Sequence, residues 1–128
     1  MTPVANAKIL YLEDEPTIGQ LYGQVLAQAG YQVTLEPDGQ KGLKLAQTDQ
    51  FDIILLDLML PNLAGRDILQ ILRDKSKTPN LKAKIVILTN LEQDNQARAA
   101  LAKQADGYLI KADFTPHDLV NFLGDLKL

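Results

Sequence analysis

Four places in this chain carry side chains able to do chemistry, and each closes an apolar run. Glu13, Asp14 and Glu15 follow "KILYL"; Asp57 follows "IILL"; Thr89 and Asn90 follow "IVIL"; Lys111 follows "YLI". A carboxylate at the end of a buried run is costly unless something pairs with it. Acids brought together also repel, by about 4 kcal/mol for two charges 4 Å apart at an effective dielectric of 20. Such a cluster is stable with an acid protonated or with a cation bound. The chain has no cysteine, and its one histidine, His117, lies apart from the acids. The ligands on offer are therefore oxygens, which suits a hard cation such as Mg²⁺. Asp57 is then the natural nucleophile, because a carboxylate can accept a phosphoryl group as an acyl phosphate. Phosphoryl transfer relies on positioning and opposite charge. Mg²⁺ and Lys111 would supply the charge, and Thr89 a hydrogen bond.

The elements that must position these groups alternate strictly. Strands are predicted at Lys8–Leu12, around Tyr31–Leu35, at Asp52–Leu56, Ala83–Thr89 and Asp106–Ile110. Between them run helical patterns. The first opens with Pro16 and carries Ile18, Leu21, Tyr22, Val25, Leu26 and Ala29 on one face, ending at Gly30. "PDGQKGLKLAQ" is a short helix weakened by Gly42. The third carries Ile68, Leu69, Ile71 and Leu72. The fourth runs from about Glu92 to Gln104, with Ala97, Ala100 and Leu101 inward. The fifth has Thr115 as cap, Pro116 at its first position and Asp118 closing a capping box, with Leu119, Phe122, Leu123 and Leu126 buried.

Such alternation predicts an α/β fold: a doubly wound five-stranded parallel sheet with helices on both faces. The first, third and fourth strands are apolar throughout, which places them centrally and fits strand order 2-1-3-4-5, the flavodoxin-like order. In open sheets of this kind the site lies beyond the carboxyl ends of the strands, where the order reverses. Glu13, Asp14, Asp57, Thr89 and Lys111 would all meet there.

Composition excludes several classes. The formal charge is −3 with no basic block, which argues against nucleic acid or an anionic membrane as partner. No segment approaches the ~18 apolar residues of a membrane helix, and "MTPVANAK" lacks signal-peptide features. The absence of cysteine fits a cytoplasmic protein. The reading is one domain over residues 1–128, either a whole protein or a piece cut from a longer one.

Four segments together, "ILYLEDEP", "DIILLDLMLPNLAG", "IVILTN" and "ADGYLIKA", resemble a bacterial two-component response-regulator receiver domain, chemotaxis-regulator-like, over essentially the whole length. The resemblance implies phosphorylation of Asp57 by a histidine kinase or histidine phosphotransfer protein. It implies Mg²⁺ held by Asp14, Asp57 and the backbone carbonyl of Met59, with Glu13 acting through water. It implies that Thr89 moves toward the phosphoryl group and that Tyr108 turns inward. That reshapes a surface made by the fourth helix, fifth strand and fifth helix, the expected output face and a possible homodimer contact.

The chain departs from the family pattern in places. Glu13 replaces the usual first Asp, Asn90 a small residue, and Ala112 a proline preceded by a cis bond. A cis bond before a non-proline costs ~3–4 kcal/mol, so the expectation is a trans bond with a shifted loop, or strain. In the family the places of Met59 and Leu91 flank the path of attacking water; both are apolar here, which predicts a long-lived phospho-Asp57. The expected role is thus a phosphoacceptor switch with self-catalysed phosphorylation and slow autodephosphorylation, rather than an enzyme acting on other substrates. The alternative is a phosphorylation-independent pseudo-receiver serving as an interaction module. An aspartyl-phosphate phosphohydrolase would want an acid where Met59 stands, and a flavin binder a Ser/Thr/Gly-rich first loop. Taken singly, each signal has a plainer meaning: Asp57 a turn residue, Lys111 a surface lysine, Tyr108 strand packing, His117 an exposed helix residue.

Overall fold

The computed structural model describes residues 7–78, 81–90 and 95–126. Five strands and five helices alternate: β1 Lys8–Leu12, α1 Pro16–Gln28, β2 Gln32–Glu36, α2 Gly39–Gln47, β3 Ile53–Leu56, α3 Gly65–Arg73, β4 Lys84–Thr89, α4 Asn95–Gln104, β5 Gly107–Ile110 and α5 Pro116–Gly124. A 3₁₀ turn, Lys111–Asp113, follows β5. All pairings are parallel, in the expected order β2-β1-β3-β4-β5.

The period of two along a strand sorts the core into two layers. Ile9, Tyr11, Ile53, Leu55, Val86, Leu88 and Leu109 face α1 and α5, meeting Tyr22, Leu26, Leu119 and Leu123. Leu10, Leu12, Ile54, Leu56, Ile85 and Ile87 face the other way, meeting Ala46 of α2, Ile68, Leu69 and Leu72 of α3, and Leu101 of α4. Every residue of β3 is buried, as a central strand covered on both sides requires. β2 forms an edge, and Leu35 on it is 38% exposed.

The helix ends follow local chemistry. α1 closes at Gly30, whose φ of 104° suits glycine, with the Gly30 N–H donating to the Ala27 carbonyl. The capping box of α5 forms as expected: the Asp118 N–H donates to the Thr115 hydroxyl and the Thr115 N–H to the Asp118 carboxylate. Two helical faces differ from the sequence reading. In α1 the buried line is Gly19, Tyr22 and Leu26, whereas Leu21 is 50% exposed. The apolar stripe there is wider than the sheet it covers, and Leu21 falls on its flank. In α4, Leu101 is buried, Ala97 half-buried and Ala100 exposed. The expected start of that helix at Glu92, and Leu91, lie outside the described residues. α2 runs on through Gly42, which packs close to β1: a Cβ there would sit 2.6 Å from the Leu12 Cδ2.

Candidate functional site

The sheet register brings the acids together. Leu12 pairs with Leu56, so Glu13 and Asp57 follow side by side at the ends of β1 and β3. The ladder extends one rung further, the Asp57 N–H donating to the Leu12 carbonyl at 3.1 Å. Thr89 closes β4 opposite Ile110, and Lys111 is the next residue. Glu13, Asp14, Asp57, Thr89 and Lys111 thus share one rim of the sheet, although Glu13 and Lys111 are 98 positions apart.

Asp57 is 5% exposed, and both its carboxylate oxygens are engaged. Oδ1 accepts from the Thr89 hydroxyl at 2.8 Å and from the Met59 N–H at 3.0 Å. Oδ2 accepts from the Lys111 ammonium at 2.7 Å. Lys111 also donates to Glu13 Oε1. Glu13 is 2% exposed; its other oxygen accepts the Glu15 N–H, and the buried Tyr11 hydroxyl donates to Oε1 at 3.4 Å. These charge-assisted bonds are the pairing that two buried acids need.

Electrostatics at the rim have separable causes. Burial pushes the Glu13 carboxyl above its ordinary range, opposed by the hydrogen bond from Lys111. Burial alone would pull the Lys111 ammonium down, but the hydrogen bonds to Asp57 and Glu13 outweigh it and hold the group above the ordinary lysine value. Burial, reinforced by the Glu13 charge, raises the Tyr11 phenol, so it stays a donor. Asp14 is exposed, yet oxygens of Glu13, Asp14 and Asp57 lie within 4.8 Å of one another. Three carboxylates against one ammonium leave the cluster formally short of two positive charges. An all-oxygen donor set with that charge fits a hard divalent cation.

Other expected residues stand elsewhere or act differently. Met59 offers its N–H to Asp57, and the residue is 58% exposed. The Tyr108 ring is away from the acids, packed against the layer that contains α3 and α4, with the Arg98 guanidinium 5.2 Å from its centroid. Its hydroxyl is buried with no hydrogen-bond partner among the described residues. His117 is exposed on α5. There is no cis peptide bond among the described residues, so Lys111–Ala112 is trans and Lys111 still reaches Asp57.

Sequence reasoning missed three supports. Tyr11 reads only as strand core, yet it donates to Glu13. Tyr22 reads only as helix core, yet its hydroxyl donates to the Phe114 carbonyl at 3.0 Å, just past the lysine turn. Asn90 reads as an odd residue after Thr89, yet its Oδ1 accepts from the Ala112 N–H at 2.9 Å. The spacing of Tyr22 and Phe114 contains no clue to their contact. The coincidence of two unusual residues at 90 and 112 was a signal.

Comparison with known proteins adds context. A family model described as the response regulator receiver domain matches residues 9–123. A response regulator of Staphylococcus saprophyticus, ArlR, is 35% identical over 120 residues, covering 94% of this chain and 50% of the relative. The chain thus spans about half the length of the curated relatives it matches. The receiver domain of a Francisella response regulator superposes with a TM-score of 0.78 at 31% identity, covering 93% of this chain and 97% of that one. The receiver domain of a Pseudomonas aeruginosa sensor histidine kinase, solved with a magnesium ion coordinated in its active-site cleft, superposes with a TM-score of 0.77 at 28% identity, covering 93% and 95%.

Proposed function

Because the chain belongs to the response-regulator receiver family of two-component signalling, we propose that Asp57 is its phosphoacceptor. The donor is a phosphohistidine on a histidine kinase or histidine phosphotransfer protein. A carboxylate oxygen of Asp57 attacks phosphorus, the P–N bond breaks, and its electron pair stays on the imidazole, which is protonated from solvent. The single observation that carries this reading is the meeting of Asp57, Thr89 and Lys111 in direct hydrogen bonds beside Glu13 and Asp14.

Each residue has a distinct part. Lys111 neutralises charge that builds on the phosphoryl oxygens. Thr89 Oγ and the Met59 N–H orient the Asp57 carboxylate and can follow a new acceptor. Asp14, Asp57 and the Met59 carbonyl would hold Mg²⁺, with Glu13 acting through water. When bound, the ion supplies the positive charge that the acids leave uncompensated. The Met59 side chain at the rim, apolar, neither orients nor activates water, which supports slow autodephosphorylation. The switch would run from Thr89 to Tyr108 and out to the surface of α4, β5 and α5, where a partner or a second copy docks.

No described helix is long and apolar enough to cross a membrane; a cytoplasmic place is proposed with the kinase partnership. We read the chain as one receiver unit, with the rest of a longer protein, where there is one, reading out its state.

The test is acetyl phosphate with Mg²⁺, on the wild type and on Asp57→Asn. Intact mass should show one phosphoryl group on the wild type and none on the variant. A wild type that stays unlabelled, or a variant labelled equally, would overturn the reading. A pseudo-receiver would give the first of these results.

A further inference from the structure

We propose that Asn90 is a positioning residue: through the Ala112 N–H it holds the turn that aims Lys111 at Asp57. This deepens the reading above, and rests on it only for the effect on rate.

The β4–β5 ladder ends with Thr89 opposite Ile110. Lys111 is the first residue past it and opens the 3₁₀ turn Lys111–Asp113. The bond that closes the turn is long, from the Phe114 N–H to the Lys111 carbonyl at 3.3 Å. Besides the Lys111 ammonium itself, a described bond at each end ties the turn to the body of the protein. The Tyr22 hydroxyl reaches the Phe114 carbonyl at its far end. At its near end the Ala112 N–H donates to Asn90 Oδ1 at 2.9 Å. Asn90 is the residue after Thr89, so its side-chain carbonyl takes the place that a strand carbonyl would fill had the ladder gone one rung further. Only a residue with a backbone N–H at 112 can make this bond, and alanine has one.

The clasp therefore joins the neighbours of two groups that both touch Asp57. Thr89 meets Oδ1 and Lys111 meets Oδ2. Asn90 and Ala112 are both exposed, so water competes for their bond and its share of global stability is small. Its effect is on geometry: the Lys111 ammonium, on a four-carbon stem, keeps its place between Asp57 and Glu13 only while its Cα stays in place.

The experiment compares wild type, Asn90→Ala and Asn90→Asp, which keeps an acceptor oxygen at the same reach, with Asn90→Ala also made in Lys111→Met. The first readout is the Lys111 side-chain Nζ and Cε resonances, which need no phosphorylation. In wild type they should stand apart from the other lysines; in Asn90→Ala they should move to the exposed-lysine position, and in Asn90→Asp return. The second is the acetyl phosphate labelling rate with Mg²⁺. It should fall about tenfold in Asn90→Ala and be largely rescued in Asn90→Asp. Asn90→Ala should cost nothing further once Lys111 is methionine. Unchanged Lys111 resonances in Asn90→Ala overturn the proposal whatever the labelling does. So does an equal fold-loss in the Lys111→Met background. A wild type that fails to label strikes the phosphoacceptor reading instead, and leaves the resonance test of the clasp standing.

Discussion

Gly65 lies directly against the backbone of Asp57: a Cβ built on Gly65 would sit 2.1 Å from the Asp57 carbonyl oxygen and 2.7 Å from the Leu58 Cα. The Gly65 N–H donates to the Leu58 carbonyl at 3.0 Å, so α3 begins in contact with the strand end that carries Asp57, the proposed phosphoacceptor. The obstacle is main chain and has no rotamer to escape into. Gly65→Ala should destabilise the fold by ~1–3 kcal/mol, the usual range for overpacking. It should also slow labelling of Asp57, since the backbone that must yield is its own. Urea unfolding and acetyl phosphate kinetics on the same sample check both; an unchanged urea midpoint would show that the helix start can shift freely.

Asp14 is the exposed member of the acidic cluster and has no described bond to Lys111, so its charge is the one most available to an ion. Asp14→Asn should weaken Mg²⁺ binding at least tenfold, about 1.4 kcal/mol. The fold should be unaffected, because no core contact is lost. Isothermal titration of the two proteins with MgCl₂ decides it; affinities within twofold of each other would remove Asp14 from the ligand set.

Met59 presents an exposed side chain at the rim while its N–H is bonded to Asp57. Met59→Asn keeps the backbone bond and puts a polar group where it can hold water. The phosphorylated variant should lose its phosphoryl group several times faster than wild type in Mg²⁺ buffer, followed by intact mass. Equal half-lives would mean that water reaches phospho-Asp57 by another route.

The capping box of α5 makes a prediction about acid. The Thr115 N–H holds the Asp118 carboxyl below the ordinary aspartate range. A carboxylate depressed in the folded state stabilises it above the unfolded value, near 3.9. The contribution is lost as pH falls through the lower folded value. Wild type should therefore be more stable than Asp118→Asn at neutral pH, and the gap should close as pH falls below the unfolded value and through the lower folded one. Thermal melts of both proteins at several pH values test this; a gap independent of pH would mean that the bond does not depend on charge.

How much of this was legible in the sequence depends on what kind of interaction does the positioning. β1, β3 and β4 are apolar on both faces, and only a central strand tolerates that, so the strand order could be read. Once the order is known, Glu13, Asp57, Thr89 and Lys111 must share a rim, because each is the last residue of its strand or the next one. Side-chain supports left weaker traces. Tyr22 sits on a helical stripe that would be apolar in any case, and its hydroxyl's destination is 92 residues away. Gly65 looks like one more loop glycine until the backbone it touches is seen. Leu21 was placed inward by periodicity, but periodicity gives the centre of a stripe better than its width.

The 98 positions between Glu13 and Lys111 have a consequence for synthesis. A ribosome makes Asp57 and both neighbouring acids well before it reaches the lysine. Until β5 has left the exit tunnel and docked on β4, the growing polypeptide has no ammonium at the rim. It should be deaf to the proposed phosphohistidine donor, and arrested chains of increasing length should gain the ability to take up a phosphoryl group in one step, when that final strand docks.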